Sequence, residues 1–286
     1  IFARQWFVSA GLVDDLPITD RVTPLLAAAE ALPRTKELVI ETVDTNEGKE
    51  LSGLSKKFTA PFEKALKANK LFQPSSHMRM HLVFISGTQA YLGVAPIYNS
   101  SPWPMGIARL RLPKEAPSRA TLKLEEAWHH FIPADEWDSR LASGMRAVDL
   151  GAAPGGWTWQ LVQRGMYVEA VDNGPMDKNL LETGQVLHIL TDGFLYEPKK
   201  PVQWLVCDIV DKPARVTSMV IGWFTKKHCR EAIFNLKLPM KQRYLEVKKC
   251  EERIRKELEK AGFHVDIQFK QLYHDREEVT GHLRVS

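Results

Sequence analysis

The stretch that most restricts this chain is "AVDLGAAPGGWTWQL", residues 147–161. An apolar run enters a turn of Ala, Pro and Gly and leaves as an aromatic-studded segment of helical character. That pattern predicts a strand, a tight turn and a helix. Four more short apolar runs follow, "MYVEAVD", "QVLHILTD", "VQWLVCDIV" and "EAIFNLKL". Helix-like segments such as "TWQLVQRG" and "KPARVTSMVIGWFTKK" are interleaved with them. Near-continuous apolar strands alternating with helices predict an α/β fold with a doubly wound, mostly parallel sheet. In such sheets ligands collect outside the carboxyl ends of the strands. Asp149 closes the first run, and Gly151, Gly155 and Gly156 follow at the turn. Missing Cβ atoms there let a ligand approach the backbone, and the start of the helix offers unpaired N–H groups. The spacing is neither GxGxxG nor that of a P-loop, which sets aside both of those fingerprints. Asp172 ends the next run, about 20 residues on, where an acidic side chain suits a ribose diol. Asp192 ends the third run, where a carboxylate is expected to face an adenine amine.

The first part of the chain has a different rhythm. "ITDRVTPLLAAAEAL" predicts an amphipathic helix capped by Asp20, and "KELVIETVD" a strand. "LSGLSKKFTAPFEKALKANKLF" reads as helix on both sides of Pro61, and "MHLVFISG" with "QAYLGVAPIYNS" as a strand pair. A mixed α+β unit follows from this. The prolines of "NSSPWPMG" and "RLPKEAPS" mark a boundary, giving domains 1–112 and 113–286. "IFARQWFVSA" reads as a strand from the first residue, and with Ile1 in place of Met a preceding N-terminal segment is expected.

Apolar content of 44% and charged content of 26% are those of an ordinary globular protein. No apolar run approaches the ~20 residues that span a bilayer. Cys207, Cys229 and Cys250 match neither a disulfide framework nor a zinc pattern, so they are expected to be buried thiols of a reducing cytoplasm. His129 and His130 have no companions at metal-ligand spacing and are read as structural. Residues 212–256 carry 13 basic against 4 acidic side chains, a positive pole suited to a polyanion. Within it, "PMKQRYLEVKKCEERIRKELEKAG" places apolar residues at 247, 250, 254, 258 and 261, a helix with one buried face and one Lys/Arg-rich face.

"DLGAAPGGW" with the following "AVD" resembles motif I of S-adenosylmethionine-dependent methyltransferases, closest to the FtsJ-type RNA 2'-O-ribose enzymes. The resemblance implies a Rossmann-like domain using S-adenosyl-L-methionine. It implies a cofactor site at Ser118, Asp149, Gly151, Ala153, Pro154, Gly155, Gly156, Trp157, Asp172, Asp192 and Asp208. It also implies a Lys-Asp-Lys-Glu tetrad. "SRATLKLEEA" supplies Lys123, "WLVCDIV" Asp208, "AIFNLKLPM" Lys237, and "HDREEVTGHL" Glu278, with Glu277 as the open alternative. The first half looks like a THUMP domain, an RNA-binding module. Together the halves resemble bacterial methyltransferases of large-subunit ribosomal RNA that act on a cytidine ribose, and ribosomal RNA before subunit assembly is the implied partner.

Methyl transfer from a sulfonium is an in-line displacement in which the ribose hydroxyl must also lose a proton. Lys237 can accept it only as the neutral amine, and an ordinary lysine is about 3.4 units from neutrality at pH 7, or about 4.6 kcal/mol. A neighbouring cation in Lys123 and partial desolvation favour the neutral form; Asp208 and Glu278 favour the charged one, so they are assigned to holding the lysines. Asp208-Ile209-Val210 lacks the Pro pair of enzymes that methylate exocyclic base nitrogens. Cys207 points to the face opposite Asp208, away from any role as a base-attacking nucleophile. The alternatives are 2'-O-methylation of another RNA, or a non-catalytic RNA-binding protein with a vestigial pocket.

Overall fold

The computed structural model describes residues 1–286. The chain divides into two units, Ala3–Arg109 and Leu110–Ser286, with Ile1 and Phe2 counted in the second. In the first unit the elements run β1 (Val8–Val13), α1 (Val22–Glu30), β2 (Glu37–Thr42), α2 (Asn46–Glu50), α3 (Ser52–Ala68), β3 (Met78–Phe84) and β4 (Ala90–Pro96). The strands form one sheet in the order β1-β4-β3-β2, with β2 parallel to β3 and the other pairs antiparallel. Leu25 and Ala29 of α1 and Phe58, Phe62 and Leu66 of α3 pack on Met80, Leu82, Phe84 and Leu92 of the sheet. Asp20 Oδ1 accepts the Thr23 N–H at 3.1 Å, which caps α1. Helix α3 runs through Pro61 without a break.

The opening strand differs from the expectation: residues 1–7 are not strand, and β1 starts at Val8. A strand exists only where a neighbour takes its backbone hydrogen bonds. β4 offers partners to Val8–Val13, whereas the Ile1 carbonyl is taken by the Gln271 N–H at 3.1 Å.

The second unit continues with α4 (Thr121–Phe131), α5 (Trp137–Arg140), β5 (Arg146–Leu150), α6 (Gly156–Gln163), β6 (Tyr167–Val171), α7 (Lys178–Glu182), β7 (Val186–Ile189), β8 (Val202–Cys207), α8 (Pro213–Thr225), β9 (Cys229–Lys237), α9 (Arg243–Lys260), β10 (Val265–Lys270) and β11 (Glu278–Val285). Its seven strands are ordered β10-β11-β9-β8-β5-β6-β7. The five from β9 to β7 are parallel, and β11 runs antiparallel to both β9 and β10. The last two strands escape the apolar-run reading for a visible reason. "VDIQFK" alternates buried and exposed residues, and "EVTGHLRV" mixes charge, Thr, Gly and His into a fully internal strand. Helices α4, α6 and α7 cover one face through Leu124, Trp128, Trp157, Leu161 and Leu180. Helices α8 and α9 cover the other through Val216, Val220, Phe224, Val247, Ile254 and Leu258. No helix is long and apolar enough to cross a membrane.

From β5 the chain winds outward to β6 and β7, then returns to β8 on the other side of β5. The winding reverses there, so the two adjacent strand ends diverge and leave a crevice. Gly281 in β11 faces Phe234 of β9 and Phe269 of β10 across the sheet. A Cβ at Gly281 would lie 2.6 Å from Phe269 and 2.8 Å from Phe234. Gly281→Ala is therefore expected to destabilise this unit by about 1–3 kcal/mol, read as a melting temperature lowered by several degrees in thermal denaturation.

Candidate active site

A cavity of about 340 Å³ opens at that crevice. Its walls come from the segments just after four parallel strands: Gly151 and Ala153 after β5, Asp172 after β6, Thr191 to Phe194 after β7, and Asp208 to Val210 after β8. Gly151 has φ +78°, and a Cβ on it would sit 2.7 Å from Ile209 Cγ1. The glycine therefore serves both the backbone angle and the room at the floor of the cavity. Asp172 braces the turn: Oδ2 accepts the Ala153 N–H at 3.0 Å and Oδ1 the Gly174 N–H at 2.7 Å. Asp192 lies three residues beyond the end of β7 at Ile189, not at the strand end, and accepts the Phe194 N–H at 2.8 Å.

Beside this cavity four charged side chains from four elements meet. Lys123 of α4 reaches Asp208 Oδ2 at 3.2 Å and also contacts Glu278 Oε1. Lys237, the last residue of β9, contacts Asp208 Oδ1 and Glu278 Oε2. Each cation thus touches both anions. β11 pairs with β9 in a register that sets Glu278 directly opposite Lys237. Glu277, one residue earlier, is exposed and pairs with Arg243 instead. The turn before Glu278 is tied to α4 by Glu126, whose carboxylate accepts the Tyr273 N–H at 2.8 Å and the His274 N–H at 3.0 Å and meets His274 Nδ1 at 2.6 Å. Since Glu126 is one turn from Lys123, this tie holds the helix with one lysine to the strand with one glutamate.

Burial works against the Asp208 carboxylate, but Lys237 and Lys123 outweigh it and hold its pKa below the usual range. Burial also works against charge on Lys123, and the Asp208 and Glu278 carboxylates more than offset it, so its pKa lies above that of an ordinary lysine. Asp149 behaves differently. It is buried beneath the turn, its Oδ2 accepts the Thr158 hydroxyl at 2.7 Å, and burial pushes its pKa up to about 7.

Of the other residues expected around a cofactor, the structure keeps several off the wall of this cavity. Gly155, with φ +117°, packs against Leu180, and Gly156 against Ser118. Trp157 lies in the core, and Pro154 is exposed at the turn. Ser118 Oγ, Asp149 Oδ1 and Trp157 Nε1 nevertheless share a trait: each is shielded from solvent and has no hydrogen-bond partner in the protein. Such groups are rare in a folded chain and call for a polar partner. Asn173, Thr191, Gly193, Phe194, Ile209 and Val210 also line the cavity and were missed in the sequence. Their signal was position alone, since each lies two to five residues past a strand end.

The basic pole is partly used by the fold. Arg255 donates to the Val265 and Ile267 carbonyls at 3.1 Å each, bridging α9 to β10, and Arg253 reaches Ser218 of α8 at 2.8 Å. Lys248 and Arg253 also pair with Glu251 and Glu257 on their own helix. Lys241, Lys249 and Lys256 remain on the exposed face, and Ala261, expected on the buried one, is exposed at the end of the helix. No cluster of His, Cys, Asp or Glu has the makings of a metal site.

Residues 20–96 match the family described as "Ribosomal RNA large subunit methyltransferase M, N-terminal", and residues 116–271 the family of FtsJ-like methyltransferases. The chain is 73% identical over 285 residues to a ribosomal RNA large subunit methyltransferase M of Cellvibrio japonicus, covering 100% of this chain and 81% of that protein. It is 58% identical over 285 residues to a protein of the same name from Pseudomonas fluorescens, covering 99% and 79%. Among solved structures, the Methanococcus jannaschii fibrillarin pre-rRNA processing protein overlays with a TM-score of 0.42 at 14% identity, over 71% of this chain and 81% of that one, too slight a likeness to build on.

Burial pushes the Cys207 thiol up to about 12 and raises Cys229 as well, and both lie inside the folded unit. In the native protein neither is expected to react with iodoacetamide at about pH 8, and both should react in denaturant. Rapid labelling of native Cys207, followed by peptide mass mapping, would contradict its placement in the core.

Proposed function

The chain belongs to the ribosomal RNA large subunit methyltransferase M family, and from that premise we propose that Lys123, Asp208, Lys237 and Glu278 carry out its reaction on a cytidine ribose. The protein is an S-adenosylmethionine-dependent methyltransferase that modifies a ribose 2'-hydroxyl of large-subunit ribosomal RNA. What supports the assignment of the tetrad is one observation: each of two lysines touches each of two carboxylates beside the cavity at the strand ends.

The residues of the cavity fit the cofactor. The turn is bare at Gly151, where a side chain would collide with Ile209, the apolar Phe194 and Ile209 suit a flat base, and Asp172 and Asp192 suit hydroxyl and amine donors. When bound, S-adenosylmethionine supplies a methyl group on a cationic sulfur that leaves as a neutral thioether. Lys237, as the neutral amine, takes the proton of the attacking ribose hydroxyl while the new oxygen–carbon bond forms. Asp208 and Glu278 hold its Nζ in place. Lys123 shares the same two carboxylates, remains an ammonium, and leaves each anion fewer free lone pairs to hold a proton on Lys237.

The unit Ala3–Arg109 is read as a THUMP-like module that grips the RNA, acting with the exposed cations of α9. Cytidine, action on RNA before subunit assembly, and a cytoplasmic setting complete the reading. The test is transfer of labelled methyl groups from S-adenosylmethionine to unmodified ribosomal RNA, followed by mapping of the labelled nucleotide. Label is expected on the ribose of a cytidine; label on a base rejects the mechanism, and label on another ribose rejects only the nucleotide. Lys237→Ala is expected to lower the transfer rate by about 10²- to 10⁴-fold while cofactor affinity, measured by calorimetry, changes little. A variant that methylates at the normal rate would remove Lys237 from the chemistry.

A further inference from the structure

Asn235 and Thr280 lie opposite each other on β9 and β11, two residues inward from the facing pair Lys237 and Glu278. Side chains alternate along a strand, so all four share one face of the sheet. Asn235 and Thr280 are fully buried. Asn235 Nδ2 donates to Asp208 Oδ1 at 2.9 Å, which fixes the amide so that its oxygen turns inward. That oxygen is 2.8 Å from Thr280 Oγ1. On its other side Thr280 Oγ1 is 3.0 Å from Asp275 Oδ2 and 3.3 Å from Asp275 Oδ1, and Oδ2 also accepts the Leu272 N–H at 2.9 Å.

One hydroxyl proton therefore stands between two oxygen acceptors. An amide oxygen cannot donate, so both contacts are satisfied only when the second donor is Asp275 itself. We propose that Asp275, as the protonated carboxyl, Thr280 and Asn235 form a directed hydrogen-bond chain, Asp275 to Thr280 to Asn235 to Asp208, that positions Asp208 for its work on Lys237. This rests on the reading of Asp208 and Lys237 as parts of the methyl-transfer site. The three are positioning residues, since each acts through Asp208.

The surroundings of Asp275 suit that state. Burial and the neighbouring Glu278 raise its pKa, the Leu272 N–H, the Thr280 hydroxyl and Lys123 lower it, and the outcome is about 7. From α4, Lys123 faces it as a cation that lowers its pKa, while Glu126 is engaged by the backbone of Tyr273 and His274. From β9 and the end of β8, Lys237 and Asp208 face it as an ion pair beyond Asn235. On its own turn, Glu277 is exposed and paired with Arg243, and Arg276 points to solvent. The raised pKa makes the neutral form the one present at low pH, lost as pH rises through about 7. Once ionised, Asp275 is the stronger acceptor and draws the Thr280 proton away from Asn235. The amide oxygen then loses its donor, and Asp208 is held less firmly.

The experiment measures kcat and KM for methyl transfer by the full chain on ribosomal RNA across about pH 6 to 9, with Thr280→Val, Thr280→Ser and Asp275→Asn beside the unaltered protein. Thr280→Val keeps the shape but not the hydroxyl and is expected to lose about 10- to 100-fold in kcat with KM for the cofactor little changed, while Thr280→Ser restores most of the rate. The unaltered protein is expected to bend downward in kcat on the alkaline side. Asp275→Asn, whose amide donates to Thr280 at every pH, is expected to lack that bend. A Thr280→Val protein with normal kcat, or an Asp275→Asn profile that keeps the bend, overturns the proposal. Should Thr280→Val fail to fold, the Asp275→Asn profile alone decides. Failure of the unaltered protein to label ribose would instead reject the reading on which the chain rests.

Discussion

The site depends on mutual neutralisation of four partly buried charges. A single lysine or carboxylate placed where Lys123, Asp208, Lys237 and Glu278 sit would carry a desolvation cost that no one partner offsets fully. Two cations and two anions, each touching both of the opposite kind, bring the cluster to zero net charge. The cluster also draws on elements far apart in the chain, α4, the end of β8, the end of β9 and the start of β11. Neutralising these charges and closing this end of the sheet are therefore one physical event. The contacts of Glu126 with the turn before β11 serve the same closure, because they hold the strand with Glu278 against the helix with Lys123.

The glycine turn illustrates how one motif divides its labour. Gly151 takes a positive φ and opens the cavity floor, whereas Gly155 and Gly156 leave room for Leu180 and Ser118. All three look alike in the sequence, and all three permit close approach. What approaches is a cavity wall in the first case and neighbouring side chains in the others. Asp149 and Asp172 part in the same way. One is buried under the turn with a raised pKa, and the other braces the turn through two backbone N–H groups while facing the cavity.

Charge counting was the least informative guide to the surface. The excess of basic residues between 212 and 256 is real, but Arg253 and Arg255 link α9 to α8 and β10 through hydrogen bonds that any reading of net charge overlooks. Guanidinium groups have several donors in a rigid fork and are suited to such bridging. The lysines on the outer face of the same helix have no such geometry and stay in water.

The sequence by itself determined the local pieces: five apolar strands of the parallel sheet, the bare turn after the first, the amphipathic α9, and the aspartates at or just past the ends of their runs. These follow from patterns only a few residues long, which the backbone obeys wherever it lies. The tertiary structure decided what those patterns leave open. β11 joins antiparallel beside β9, and that register sets Glu278 rather than Glu277 opposite Lys237 and brings Thr280 to Asn235. Side chains alternate every residue along a strand, so a slip of one would send each to the other face. Only pairing between strands about 40 residues apart fixes that choice.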